Sequence, residues 1–387
     1  MHPPRGFCLN SIKSKHKESF GLITAPSGMK AAGIFTTNKF PAYPVIFSKK
    51  SVKNTIHKAV LVNSGSANAA TGIDGKKQVD EFLKRVSEKL NIKEKEMLFA
   101  STGIIGKRMN YTEKQIKDLI RNKNSKNIKG FSKAIMTTDT REKVVKKSFK
   151  INKKNVNILG IAKGSGMVAP DLATMLAFVL TDINIEKNVL EKSLKKVSDI
   201  SFNCLTIDGE ASTNDTVFLA STCKAENSII KNTGRNYKLF FENLKSVCTD
   251  LTEKLAKDGE GATKFIRIKV KGAQDKNTAK GAAEAIANSP LCKTAFYGAS
   301  PNWGRIICAL GRVNTELKLE KINIKINEVE WIKKGKVKQH NKKHIKDIMS
   351  RKEYNLEVEL NSGDKQYTAY TCDLTPEYVK INALYVT

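Results

Sequence analysis

Histidine is scarce in this chain. It has five in 387 residues (His2, His16, His57, His340 and His344), and none stands beside a nucleophile motif such as G-x-S-x-G. That argues against a histidine-based catalytic triad. His340 and His344 have the i,i+4 spacing of a zinc helix, but Lys342 and Lys343 lie between them and no glutamate adjoins them, so they read as surface residues. The seven cysteines are odd in number, far apart and without a C-x-x-C pair. Neither a disulfide framework nor a zinc site is indicated, and no metal is expected. No apolar run approaches the roughly eighteen residues of a membrane span, and the start, Met1 to Cys8, lacks the apolar stretch of a signal peptide. A cytoplasmic location with no membrane partner is expected. Acidic residues are few beside basic ones, giving a net charge of +30. The lysines are scattered and interleaved with asparagines rather than clustered with aromatics, so no nucleic-acid partner is expected. Thr102-Gly-Ile-Ile-Gly106-Lys107 is not a phosphate loop: its glycines stand too close together, and Arg108 replaces the Ser/Thr that would hold magnesium.

At 40% hydrophobic residues the chain can bury one large core or two ordinary ones. Ala32–Thr36 and Ala59–Val62 read as buried strands, and Val79, Phe82, Leu83, Val86 and Leu90 recur at helical spacing. Thr112 is placed to cap a helix that turns Ile116, Leu119 and Ile120 to one side. The run 175–180, Met-Leu-Ala-Phe-Val-Leu, suits a strand buried on both faces. Helices are expected over about 186–198, 239–256 and 279–288, and a strand over 265–270. The lysine-rich stretch 333–344 reads as a solvated loop or helix entry. The pattern is mixed α/β (α+β).

With histidine, metal and nucleotide chemistry disfavoured, a catalyst needing only a hydroxyl and an amine becomes attractive. A threonine hydroxyl needs a base, and the residue's own α-amino group serves once the preceding peptide bond is cut. That group titrates at about 7.7–8.0, close to working pH. Thr174 is placed for this role. Gly164 and Gly166 permit unusual backbone upstream, Pro170 stiffens the approach, and the apolar strand downstream would hold a new N-terminus at a sheet edge. Local sequence alone favours the plainer alternative, a strand-start threonine after a glycine-rich turn. Taken alone, Thr102-Gly103 reads as a turn between a strand and a helix, and Lys163 and Glu260 as solvated charges.

The segment 163–178, KGSGMVAPDLATMLAF, closely resembles the cleavage-site segment of the ornithine acetyltransferase family, the glutamate N-acetyltransferases of arginine biosynthesis. So do Val62–Ala69, Ser101–Gly106, Thr137–Thr140, Thr206–Gly209 with Ser212–Asp215, Asp258–Lys264, Pro301–Arg305 and Ile381–Thr387, in family order along almost the whole chain. Ser66 stands where many relatives have Asn and Leu172 where many have Met, but neither departure removes a catalytic group.

The resemblance implies a layered α-β-β-α sandwich with a smaller C-terminal α/β domain starting at about residue 275. It also implies self-cleavage between Ala173 and Thr174 into chains 1–173 and 174–387, which stay associated as two copies of each. Thr174 would be the nucleophile and acetyl carrier, with Thr102 and Gly103 stabilising the oxyanion. Substrate contacts would fall on Thr137, Lys163, Thr174, Glu260, Asn382 and Thr387, with Lys163 suited to a carboxylate and Glu260 to an amine. The implied reaction moves acetyl from N-acetylornithine to glutamate by a ping-pong route without a cofactor, and acetyl-CoA is a further possible donor. Water replacing glutamate would make the protein an N-terminal-nucleophile amidohydrolase or aminopeptidase. Paired Lys163 and Glu260 with an intact 382–387 end point instead to amino-acid substrates.

Overall fold

The computed structural model describes residues 2–14, 18–169 and 175–384. In chain order the first elements are β1 (Cys8–Ile12), β2 (Ser19–Phe35), α1 (Tyr43–Ser51), β3 (His57–Ser66), α2 (Gly72–Leu90), β4 (Met97–Ile104), α3 (Glu113–Arg121) and α4 (Ile128–Ala134). Next come β5 (Lys143–Ile151), β6 (Lys154–Lys163), β7 (Leu176–Thr181), α5 (Lys187–Ser198), β8 (Thr216–Ser221), α6 (Arg235–Lys257), β9 (Phe265–Ala273) and α7 (Lys276–Ala287). The last are α8 (Pro290–Tyr297), α9 (Trp303–Leu310), β10 (Asn323–Ile326), β11 (Val329–Lys333), β12 (Lys336–Val337), α10 (Lys342–Met349), β13 (Glu353–Glu359), β14 (Lys365–Cys372) and α11 (Pro376–Leu384).

One hydrogen-bonded path, β4-β3-β2-β8-β7-β6-β5 with β1 beside β2, makes both sheets of the sandwich. The device is β2. It pairs with β3 through Ser19–Thr24, shifts register before Met29, and pairs with β8 through Lys30–Phe35. The two halves thus face each other across a shared core in which Val60, Val62 and Leu98 meet Leu176, Phe178 and Leu180. Because strand side chains alternate, the intervening residues point outward. Ala59 and Leu61 pack with Phe82 and Leu83 of α2, while Ala177 and Val179 pack with Leu194 of α5 and Leu244 of α6. The layers run α-β-β-α, and β7 is buried on both faces, as its apolar run predicts. It is an interior strand, paired with β6 on one side and β8 on the other.

Thr112 caps α3. Its hydroxyl accepts from the Gln115 N–H, and the Gln115 side chain accepts from the Thr112 N–H, a reciprocal capping box. The second sheet, β12-β11-β10-β13-β9-β14, starts with β9 and packs its own core, including Ile268, Trp331 and Leu356, against α7, α9 and α10. The lysine-rich stretch 333–344 is more ordered than a loop. Lys336–Val337 pairs back on β11, and α10 begins at Lys342. Buried Trp331, Ile332, Ile345 and Ile348 hold both against the core, an anchoring that the intervening lysines hide. All seven cysteines are free. No described helix is long and apolar enough to cross a membrane.

Candidate active site

A cleft of about 320 Å³ opens where β4 and β6 end, and its wall includes Thr102, Gly103, Thr137, Lys163, Glu260 and Asn382. These six expected site residues come from β4, the loop before β5, the end of β6, the turn after α6, and α11. The fold, not proximity in sequence, assembles them. Ala173, Thr174 and Thr387 lie outside the described residues, as do His16, Pro170 and Leu172.

Lys163 is the centre of the polar network and is not a solvated charge, since only 2% of it is exposed. Its Nζ donates to Thr137 Oγ1 at 2.9 Å and Thr102 Oγ1 at 3.1 Å, and lies 3.9 Å from Asp139. Burial lowers the Lys163 ammonium below its ordinary value, while Asp139, Glu260 and Asp215 pull the other way. Because Thr102 Oγ1 accepts from an ammonium, its own O–H remains available to donate. Burial opposes ionisation of Asp139, but Lys163 and Lys143 outweigh it and hold that carboxyl below the usual carboxylate range. Asp139 also accepts from the Gly164 N–H at 2.7 Å and the Thr137 N–H at 3.2 Å, fixing the backbone just after Lys163 and that of its partner Thr137. Behind it, buried Lys143 bridges Asp139 and Asp258, and Asp258 accepts from the Thr140 N–H at 3.1 Å.

Gly103 adopts φ +133°, and a Cβ there would lie 2.4 Å from the Gly65 carbonyl carbon and 2.6 Å from the Ser66 nitrogen. The parallel pairing of β3 with β4 leaves no room for a side chain. Gly103→Ala is expected to displace this backbone, and if the Gly103 N–H is the oxyanion donor that the resemblance implies, to lower kcat on the order of a hundredfold, with steady-state kinetics as the check. Gly166 has a different reason: its missing Cβ would sit 2.4 Å from a Glu260 carboxylate oxygen. Glu260 Oε2 in turn accepts from Asn382 Nδ2 at 2.8 Å, tying α11 to the cleft.

Two aspartates, Asp208 and Asp215, hold the backbone of Met167, Val168 and Met175. Asp208 accepts from the N–H groups of Met167 at 2.6 Å and Val168 at 2.7 Å, and from the Tyr378 hydroxyl at 3.3 Å. Burial pushes its carboxyl up, against those hydrogen bonds. Met167 sits at φ +56°, a left-handed conformation uncommon for a side-chain-bearing residue. On the far side, Asp215 accepts from the Met175 N–H at 2.9 Å. The family model for the ArgJ family matches residues 7–387. The chain belongs to the ArgJ family.

Among its relatives, the "Arginine biosynthesis bifunctional protein ArgJ" of Dehalococcoides mccartyi is 40% identical over 99% of this chain and 96% of its own length. The "Glutamate N-acetyltransferase" of Methanocaldococcus jannaschii is likewise 40% identical, over 99% of this chain and 98% of its own. A crystal structure of the arginine biosynthesis bifunctional protein ArgJ from Bacillus halodurans is 37% identical with a TM-score of 0.52, covering 54% of this chain and 98% of the solved chain. Within this ArgJ-family chain no group of three or more His, Cys, Asp or Glu among the described residues could hold a metal ion. The chemistry available at the cleft is that of hydroxyls, one buried ammonium, carboxylates and backbone N–H groups.

Proposed function

We propose that this member of the ArgJ family, an acetyltransferase of arginine biosynthesis, cuts itself between Ala173 and Thr174 and then carries acetyl from N-acetylornithine to glutamate on the Thr174 hydroxyl. The observation that carries this reading is the convergence of Thr102, Gly103, Lys163 and Glu260 on one cleft, with the chain anchored at Val168 before residue 174 and at Met175 after it. Thr174 Oγ attacks the acetyl carbonyl while its proton passes to its own α-amine. The Thr102 hydroxyl and the Gly103 N–H receive the oxyanion, and ornithine leaves with the proton. The glutamate amine then attacks the ester, releasing N-acetylglutamate and restoring the hydroxyl. Thr137, Lys163, Glu260, Asn382 and Thr387 hold the amino-acid ends of the substrates, with Glu260 suited to an ammonium. Lys163 Nζ is already shared between two hydroxyls, so its part also includes orienting Thr102. No cofactor enters this scheme. Acetyl-CoA is retained as a second donor because the Dehalococcoides relative is called bifunctional, and the same acyl-threonine would form from it.

The sheet supports association after cutting. Strands β7 and β8, from beyond residue 174, lie between β2 and β6, from before it, so the pieces could part only by dismantling the sandwich. The proposal extends this to two copies of each chain. The solved Bacillus halodurans chain is also about half as long as this one, as the piece 174–387 would be. Mass spectrometry of the purified protein under denaturing conditions is the test. Two fragments, the second beginning at Thr174, are expected; a single full-length chain with acetyl-transfer activity would overturn the reading.

A further inference from the structure

Asp215 is fully buried at the end of the loop that leads into β8, and only one of its two carboxylate oxygens has a partner. Oδ1 accepts from the Met175 N–H at 2.9 Å, while Oδ2 has no hydrogen bond and almost no solvent access. The Thr36 hydroxyl lies beside this carboxyl but donates to the Ser212 carbonyl at 2.6 Å. Around it the backbone is pinned: Thr36 N–H donates to the Asp215 carbonyl at 3.0 Å, and Thr216 N–H to the Met175 carbonyl at 3.1 Å. An unpaired carboxylate oxygen at such depth is costly unless something claims it. The Met175 nitrogen held by Oδ1 is bonded directly to residue 174, so the free oxygen belongs to a side chain that grips the start of the chain which cleavage would create.

We infer that Asp215 is a positioning residue for the α-amino group released on Thr174 by cleavage, with Oδ2 accepting a hydrogen bond from it. This rests on the self-cleavage reading above. In the transfer from N-acetylornithine the amine takes the Oγ proton and becomes an ammonium as Oγ bonds the acetyl carbon. The carboxylate stabilises that ammonium and orients it, and the proton then leaves with ornithine. The arrangement parallels a carboxylate that holds a histidine base, with the chain's own terminus in place of the imidazole. In the uncut chain burial pushes the Asp215 carboxyl well up, with the Met175 N–H, Lys163 and Thr36 opposing it. Lys163 is the cation that acts on Asp215, and Asp139, Lys143 and Glu260 act on Lys163 in turn. An adjacent ammonium would reverse that rise.

Asp215→Asn keeps an acceptor for the Met175 N–H and removes only the charge. Cleavage precedes the free amine, so the variant should still be cut. Its kcat should fall roughly 10²- to 10⁴-fold with KM for N-acetylornithine little changed, and the acid limb of its pH profile should move down by about one unit as the amine loses its anionic partner. Asp215→Glu should recover part of kcat. A cut Asp215→Asn enzyme with wild-type kcat and an unmoved acid limb would overturn the inference, whereas uncut wild type would instead overturn the cleavage reading. If Asp215→Asn fails to fold, a crystal structure of cut wild type decides. Thr174 N within about 3.2 Å of Asp215 Oδ2 supports the assignment, and Oδ2 bonded elsewhere overturns it.

Discussion

Thr174→Ala is expected to give a folded, uncut chain with no acetyl transfer. The same hydroxyl serves both reactions in the proposed scheme, so one substitution removes scission and turnover together. Folding should survive, because the sandwich joins β6 to β7 and β2 to β8 through backbone hydrogen bonds that involve neither the hydroxyl nor the cut. Loss of a covalent nucleophile typically lowers kcat by about 10⁴-fold or more, which would put transfer below detection. Intact mass, circular dichroism and an initial-rate assay with N-acetylornithine and glutamate check the three parts. Measurable transfer by this variant would mean that another group is the nucleophile.

Lys143→Met is expected to produce the largest loss of stability, about 3–5 kcal/mol, the usual penalty for removing one partner of a buried ion pair. Lys143 is 1% exposed, and its ammonium lies between the carboxylates of Asp139 and Asp258. Methionine fills the volume but leaves Asp258 without its cation, and leaves Asp139 with only Lys163, 3.9 Å away. The direction with pH follows from Asp139. Burial disfavours its ionised form, but Lys163 and Lys143 outweigh that and hold its folded-state pKa below the unfolded value of about 3.9. The stabilisation from this group is therefore fully present above about pH 4 and is lost as pH falls through the lower, folded value. The gap between wild type and variant in urea unfolding should be wide at pH 7 and narrow below pH 4. A variant within about 1 kcal/mol of wild type at pH 7 would show that the cluster contributes little. Because Asp139 also holds Gly164 N–H and Thr137 N–H, kcat should fall along with stability.

Local periodicity carried much of the secondary structure. Helix α2 follows the 3.6-residue recurrence of Val79, Phe82, Val86 and Leu90, and the Thr112 to Gln115 capping box is complete within four residues. The apolar run at 175–180 reads as a strand buried on both faces, since alternate residues must enter both the inter-sheet core and the helix-covered core. Six of the candidate site residues were likewise legible from the blocks that resemble the family, because glycine, threonine and charged residues there recur at family spacing.

What the sequence by itself determined, then, was element type and the family, and it supplied a list of candidate site residues. Tertiary structure alone decided the state of the charges. Lys163 and Glu260 look like ordinary surface charges along the chain. Yet Lys163 is enclosed by Thr102, Thr137 and Asp139, while Glu260 reaches the cleft because Gly166 makes room and Asn382 arrives on α11. Lys143, Asp139 and Asp258 form one buried cluster although Asp258 is distant in sequence, and Asp215, just before β8, is left with a buried, unpaired oxygen. The physical reason is the same in each case. Desolvation and charge pairing depend on which distant segments exclude water from a side chain, and no local pattern encodes that.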